Sequence, residues 1–388
     1  MINDSFSLMR GGLVYRLLRA MGLIGRNRRT TPLVALLLTA IAVVPLIVLT
    51  ALDWTLLPRF TQVRMPLLGD YTLIARFLIA MPLLVLAAPV CDDFARQALI
   101  QFSHSRLVHP AQREPFDAVI LRMKQLRDSD VPEIICLLLA VAPAFFDALP
   151  VGLLRGVSDW AHIAGEPTPA GYWLGFVSTS IFRFVSLVWL WRFLLWSWLL
   201  WRFSRLRLDV RAAHPDGAGG LGFLGVIQQR FGILAVAGGV MLAGYCMNHM
   251  IYLDYSITAF KHLLVGYVIT AVVVILAPLL VMGPLLARAK RNGILLYSLL
   301  GHEATHTFER RWFSQRADDA PSLLDTGDAS AICDFTSVYA TARGMAIVPV
   351  SRWNLAWVAV CATVPLAPLA FIALSFDEIL QSLASILT

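Results

Sequence analysis

A chain of 388 residues with 58% apolar and only 15% charged side chains departs from soluble proteins, in which about 45–50% and about 25% are usual. The excess is gathered into blocks of roughly 20 residues, the length of helix that crosses about 30 Å of hydrocarbon, which excludes a single water-soluble core. A net charge of +7 suggests nucleic acid in a soluble chain, but in a membrane chain basic residues are first explained by orientation and anionic headgroups, so no nucleic-acid partner is expected.

The five cysteines, Cys91, Cys136, Cys246, Cys333 and Cys361, are scattered and form no Cys-x-x-Cys, so neither a disulfide framework nor a thiolate metal site is read. In chain order, residues 1–31 contain a basic helix (Ser7 to Ile24) suited to the membrane surface, with Met9, Leu13, Leu17 and Met21 on one face. A signal peptide is disfavoured because the first long apolar run starts only at Pro32.

The expected spans are 32–52, 72–91, 132–154, 173–201, 231–252, 262–287 and 353–374, with a short amphipathic tail to the end of the chain at 388. Between the second and third, helical spacing predicts two surface helices over Asp92–Val108 (Phe94, Ala98, Phe102) and Glu114–Ser129 (Phe116, Ile120, Met123, Leu126). Residues 92–131 and 288–352 are expected to form a cytoplasmic helical layer, the latter including a helix over Ala329–Ala342 with Asp328 as its N-cap. The fold class is therefore all-α, a polytopic bundle of about seven transmembrane helices. With the amino terminus cytoplasmic, 25 of the 32 basic residues fall on the inner side and 4 outside, Arg76, Arg183 and Arg192 lying within spans. This arrangement puts the carboxyl terminus outside.

Those three arginines are the first functional candidates, because a charge at bilayer depth costs at least about 2.5–3.5 kcal/mol and must find a partner or water. Arg183 and Arg192 are nine residues apart and so lie on opposite sides of one helix, with Asp147 and Asp254 as candidate acceptors. The competing reading is snorkelling or structural ion pairing. Span 231–252 is rich in glycine (Gly238, Gly239, Gly244) and ends with Asn248 and His249, as expected of an inner helix whose polar groups bond across a contact; Asp254 would stand at the outer mouth.

Between the fourth and fifth spans, His214-Pro215-Asp216 precedes a glycine run with Gly217, Gly219, Gly220 and Gly222. It lacks the Gly-Lys-Ser/Thr of a phosphate loop and follows an arginine-rich helix end, so 214–225 is read as an elbow, with these glycines as a candidate hinge between two halves of the bundle.

His302-Glu303-Ala304-Thr305-His306 is a His-Glu-x-x-His. On a helix it sets two imidazoles on one face as zinc ligands, with Glu303 beside them as general base. A third ligand is missing, and Glu309-Arg310-Arg311 make this a surface helix, so the competing reading is an amphipathic helix with no metal.

The stretches Arg76-Phe77-Leu78-Ile79-Ala80-Met81-Pro82-Leu83-Leu84, Thr168-Pro169-Ala170-Gly171-Tyr172-Trp173, Trp189-Leu190-Trp191-Arg192-Phe193 and His214 to Leu224 resemble a group of bacterial integral membrane proteins with no assigned activity. The resemblance covers most of the chain and implies a bacterial inner-membrane address. The expected function is a channel or transporter with a preference for anions, its partners being the lipid bilayer and a small ion or molecule, with a homo-oligomer compatible and no cofactor required. A membrane-bound zinc hydrolase is the alternative, and a non-catalytic scaffold or sensor the third reading.

Overall fold

The computed structural model describes residues 7–8, 16, 31–56, 63–105, 107–145, 154, 157–163, 166–314 and 327–373. The described residues are almost entirely helical: α1 (Thr31–Leu52), α2 (Tyr71–His104), α3 (Arg113–Asp128), α4 (Val131–Phe145), α5 (Pro169–Ser204), α6 (Gly222–Tyr252), α7 (Ile257–Leu280), α8 (Gly283–Glu309), α9 (Asp328–Gly344) and α10 (Arg352–Phe371). Two residue pairs, His162–Ile163 and Glu166–Pro167, form a minimal antiparallel ladder. Helices α1, α2, α5, α6, α7 and α10 are long and apolar enough to cross a membrane. The protein is an all-α membrane bundle.

The starts of α2, α5 and α10 are written in the sequence as caps. Asp70 accepts the Leu73 N–H (3.1 Å), Thr168 accepts that of Gly171 (3.0 Å) ahead of Pro169, and Ser351 accepts that of Asn354 (3.2 Å). Each satisfies a first-turn donor that hydrocarbon could not. Helix α6 is the inner helix of the bundle, half of its most apolar stretch being buried against 22–39% in the other five. Its small residues cause this: a Cβ on Gly244 would stand 2.6 Å from Tyr71 O of α2, and one on Gly239 3.1 Å from Ala362 O of α10.

Several boundaries differ from those expected. Helix α2 runs unbroken from Tyr71 to His104, so Asp92–Val108 is no separate surface helix; no glycine or cap interrupts the helix at Asp92, a carboxylate that is itself 7% exposed and accepts the Leu8 N–H. Helix α6 starts at Gly222, nine residues early, which shortens the elbow. The sixth span ends at Leu280, and Pro284 lies in the first turn of a new helix, where its missing N–H leaves nothing unpaired. For α9 the N-cap is Gly327, with Asp328 in the first turn. Helix α4 is described for 15 residues, about two thirds the length of the expected third span. Most of the amino-terminal surface helix, the residues after 373 and Asp147 lie outside the described residues.

One end of the bundle is rich in arginine (α3, the α5–α6 connection and α8), and the other carries residues 63–70, 157–163 and 166–168, where the Trp160 backbone N–H donates to Met65 O (3.1 Å). At the arginine-rich end α3 docks by burying Phe116, Val119, Ile120 and Met123. Phe102 meets Phe203 and Phe223 edge-on (ring centres at 4.9 and 5.2 Å), and Phe116 stacks on Phe203 at 4.8 Å. Helices α8 and α9 lean on each other through Gly301 and Phe335, where a Cβ on the glycine would sit 3.0 Å from the ring.

Candidate functional site: a polar cavity between α2, α5 and α6

Near the end opposite the arginine-rich one, α2, α5 and α6 enclose a cavity of about 260 Å³. Four of the residues singled out from sequence line it: Arg76, Arg183, Asn248 and His249. Asp70, Thr72, Thr179 and Tyr245 complete its polar wall. Asn248, 3% exposed, ties α6 to the start of α2: its Nδ2 donates to Asp70 Oδ1 (2.8 Å) and Thr72 Oγ1 (2.9 Å), and its Oδ1 accepts the Tyr71 N–H (2.9 Å). The second oxygen of Asp70 accepts the Trp160 indole N–H at 3.3 Å. His249 Nδ1 lies 2.9 Å from Tyr245 O one turn back, which turns its ring onto Tyr245, centres 4.1 Å apart.

Arg76 lies six residues beyond Asp70 in the chain. Its guanidinium carbon lies 5.9 Å from the Phe77 ring centre and 5.8 Å from that of Phe182, and its buried Nε has no hydrogen-bond partner among the described residues. Asp70 and Arg183 are its charged neighbours. Among the described residues the cavity wall thus holds two guanidinium groups and one carboxylate, and that carboxylate already accepts three hydrogen bonds. Phe77 and Phe182, packed edge-to-face at 6.2 Å and nearly fully buried, lie beneath Arg76, and the Trp189 indole N–H donates to Leu84 O (3.1 Å) deeper in the bundle.

The two helices that bring the arginines in are locally widened. Residues Ile74–Ala80 of α2 and Leu174–Ser178 of α5 wind as π-helix, and both stretches contribute to the cavity wall. Such widened turns are rare and concentrate at functional sites. Sequence reasoning missed Asp70 and Thr72, although Asp70 directly before an apolar run is an N-cap signal.

The remaining candidates lie elsewhere. Arg192, about 13 Å along α5 from Arg183 and on its other side, forms a buried ion pair with Glu133 of α4 (2.8 Å) and donates to Arg127 O (3.3 Å). Asp254 is solvent-exposed, 3.9 Å from Arg64. In the elbow, Gly217, Gly219 and Gly220 have φ of +63°, +67° and +93°, a region costly for any residue with a Cβ. Asp216 fills the nest they form: its carboxylate accepts the N–H groups of Ala218 (2.9 Å), Gly220 (3.0 Å) and Gly222 (2.8 Å), with His214 Nδ1 at 2.8 Å. Burial raises the pKa of this carboxyl, but the three backbone donors and His214 outweigh it and hold the group below the usual carboxylate range. The anion site suggested by the glycines is occupied by the chain's own carboxylate.

His302, Glu303 and His306 lie exposed on α8. The Arg310 guanidinium stands 3.1 Å from His306 Nδ1, and among the described residues no cluster of three or more metal-ligating side chains occurs. Compared with known proteins, the chain matches no family model, no curated protein and no solved structure.

Proposed function

We propose that this membrane protein is a transporter that admits a small anion to the cavity between α2, α5 and α6, and that it works in a bacterial inner membrane with its arginine-rich end in the cytoplasm. The supporting observation is the convergence of Arg76 and Arg183 on one cavity in which the one carboxylate among the described residues, Asp70, is already held by Leu73, Trp160 and Asn248. The unpartnered Arg76 Nε is a donor that a bound anion would satisfy. The aromatic pair Phe77 and Phe182 beneath Arg76 favours a transporter, which opens to one side at a time, over a continuously open pore. The neighbouring threonines Thr72 and Thr179 supply neutral hydroxyl donors suited to an oxyanion.

Purified protein reconstituted in liposomes tests this by uptake of chloride, nitrate, phosphate and small carboxylates. At least one anion is expected to move, with uptake falling tenfold or more in Arg76→Gln and Arg183→Gln. Absence of uptake of every anion, from a protein that remains folded, overturns the reading in favour of a scaffold or sensor.

A further inference from the structure

We propose that the cleft between α3 and the last turns of α5, at the arginine-rich end, binds the phosphate headgroup of an anionic phospholipid. The cleft has a volume of about 260 Å³ and is lined by Arg122, Arg202 and Arg205 together with Pro115, Trp198 and Leu206. All three arginines are exposed, and among the described residues none forms an ion pair. That sets them apart from Arg127, held by Asp128 at 2.7 Å, and Arg211, held by Asp209 at 2.6 Å. Arg122 donates to the neutral Gln125 side chain (3.3 Å). Arg202 rests against Trp198 and Trp201 (5.9 and 6.0 Å from the ring centres) and Arg205 against Trp201 (5.5 Å), contacts that orient the guanidinium groups without neutralising them.

Three like charges around one cleft attract an anion, and guanidinium forks match phosphate oxygens two at a time. The lipid origin of that phosphate follows from position. Trp198 and Trp201 belong to the final two turns of a membrane-spanning helix, the level at which tryptophan marks the passage from hydrocarbon to headgroup. A free phosphate would leave Trp198 and Leu206 uncovered, whereas the first methylenes of a lipid lie along them. Basic clefts between helices at this depth are suited to such headgroups.

The full-length protein in detergent, offered phosphatidylglycerol and phosphatidylcholine at equal concentration, is examined by native mass spectrometry. Preferential retention of phosphatidylglycerol is expected, and equal retention of both lipids overturns the proposal. The variants Arg122→Gln, Arg202→Gln and Arg205→Gln should each weaken phosphatidylglycerol binding about fivefold, from about 1 kcal/mol per basic residue near a charged headgroup. Arg291→Gln on α8 is the control and should bind as the parent does. Unchanged binding in all three cleft variants overturns the assignment. Displacement of phosphatidylglycerol by millimolar inorganic phosphate would replace the lipid with a free-phosphate site. The wild-type retention experiment stands even if a variant fails to fold.

Discussion

Arg192 of α5 and Glu133 of α4 meet at 2.8 Å with 2% and 4% of their side chains exposed, a buried ion pair that ties α4 to the longest span among the described residues. Two charges withdrawn from water do not stabilise a fold much beyond well-packed apolar residues, but removing one partner strands the other. Glu133→Ala should therefore destabilise the protein by about 3–5 kcal/mol. The double variant Glu133→Leu/Arg192→Met should recover most of that loss. Thermal unfolding in detergent measures both.

The elbow around Asp216 sets a pH dependence. Its folded-state pKa is depressed, so its contribution is complete above the ordinary carboxyl value of 3.8 and is lost as pH falls through the lower folded value. Asp216→Asn should remove this acid-side loss of stability and lower stability at neutral pH by about 1–3 kcal/mol, the cost of weakening three backbone hydrogen bonds. Unfolding curves from pH 7 to pH 3 for both proteins check the sign.

Close approach of α2 and α6 depends on Gly244. Gly244→Ala puts a methyl group 2.6 Å from Tyr71 O and should cost about 1–3 kcal/mol while disturbing the cavity that the same two helices line. Gly266→Ala on α7, where nothing lies within 4 Å of the added carbon, should be neutral or stabilising by up to about 1 kcal/mol. Midpoint temperatures of the two variants separate the effects.

Asn248→Leu keeps the volume of the side chain roughly constant but leaves the Tyr71 N–H without its acceptor and removes the amide donor to Asp70 and Thr72. A loss of about 1–3 kcal/mol in stability is expected. Anion uptake should fall further than stability alone accounts for, because Asp70 and Thr72 line the cavity. Uptake normalised to folded protein distinguishes the two.

His302→Ala and His306→Ala should leave anion uptake unchanged, since both side chains are solvent-exposed on α8, outside the cavity between α2, α5 and α6. Metal content measured on the same preparations tests the alternative reading: stoichiometric zinc lost in either variant would restore a metal site.

Composition and the spacing of apolar blocks were enough to predict a membrane helix bundle, because hydrocarbon forces every backbone polar group into a helix and so sets the length of each span. Arg76, Arg183, Asn248 and His249 were identifiable as candidates because a polar side chain at that depth must be accounted for by a partner or by water. Helical spacing also separated Arg183 from Arg192, since nine residues turn the helix through about half a circle beyond two full turns. What sequence alone left open was pairing across the bundle. Glu133, 59 residues before Arg192, has no local mark that names it as the acceptor, and Asp70 meets Asn248 from 178 residues away. Only the packing of α5 against α2, at Phe77 and Phe182, and against α4 decided that Arg76 and Arg183 share one cavity while Arg192 is locked to Glu133. Tertiary structure likewise showed what closes the elbow read from the glycine run: the carboxylate of Asp216, directly before Gly217, accepts the N–H groups of Ala218, Gly220 and Gly222.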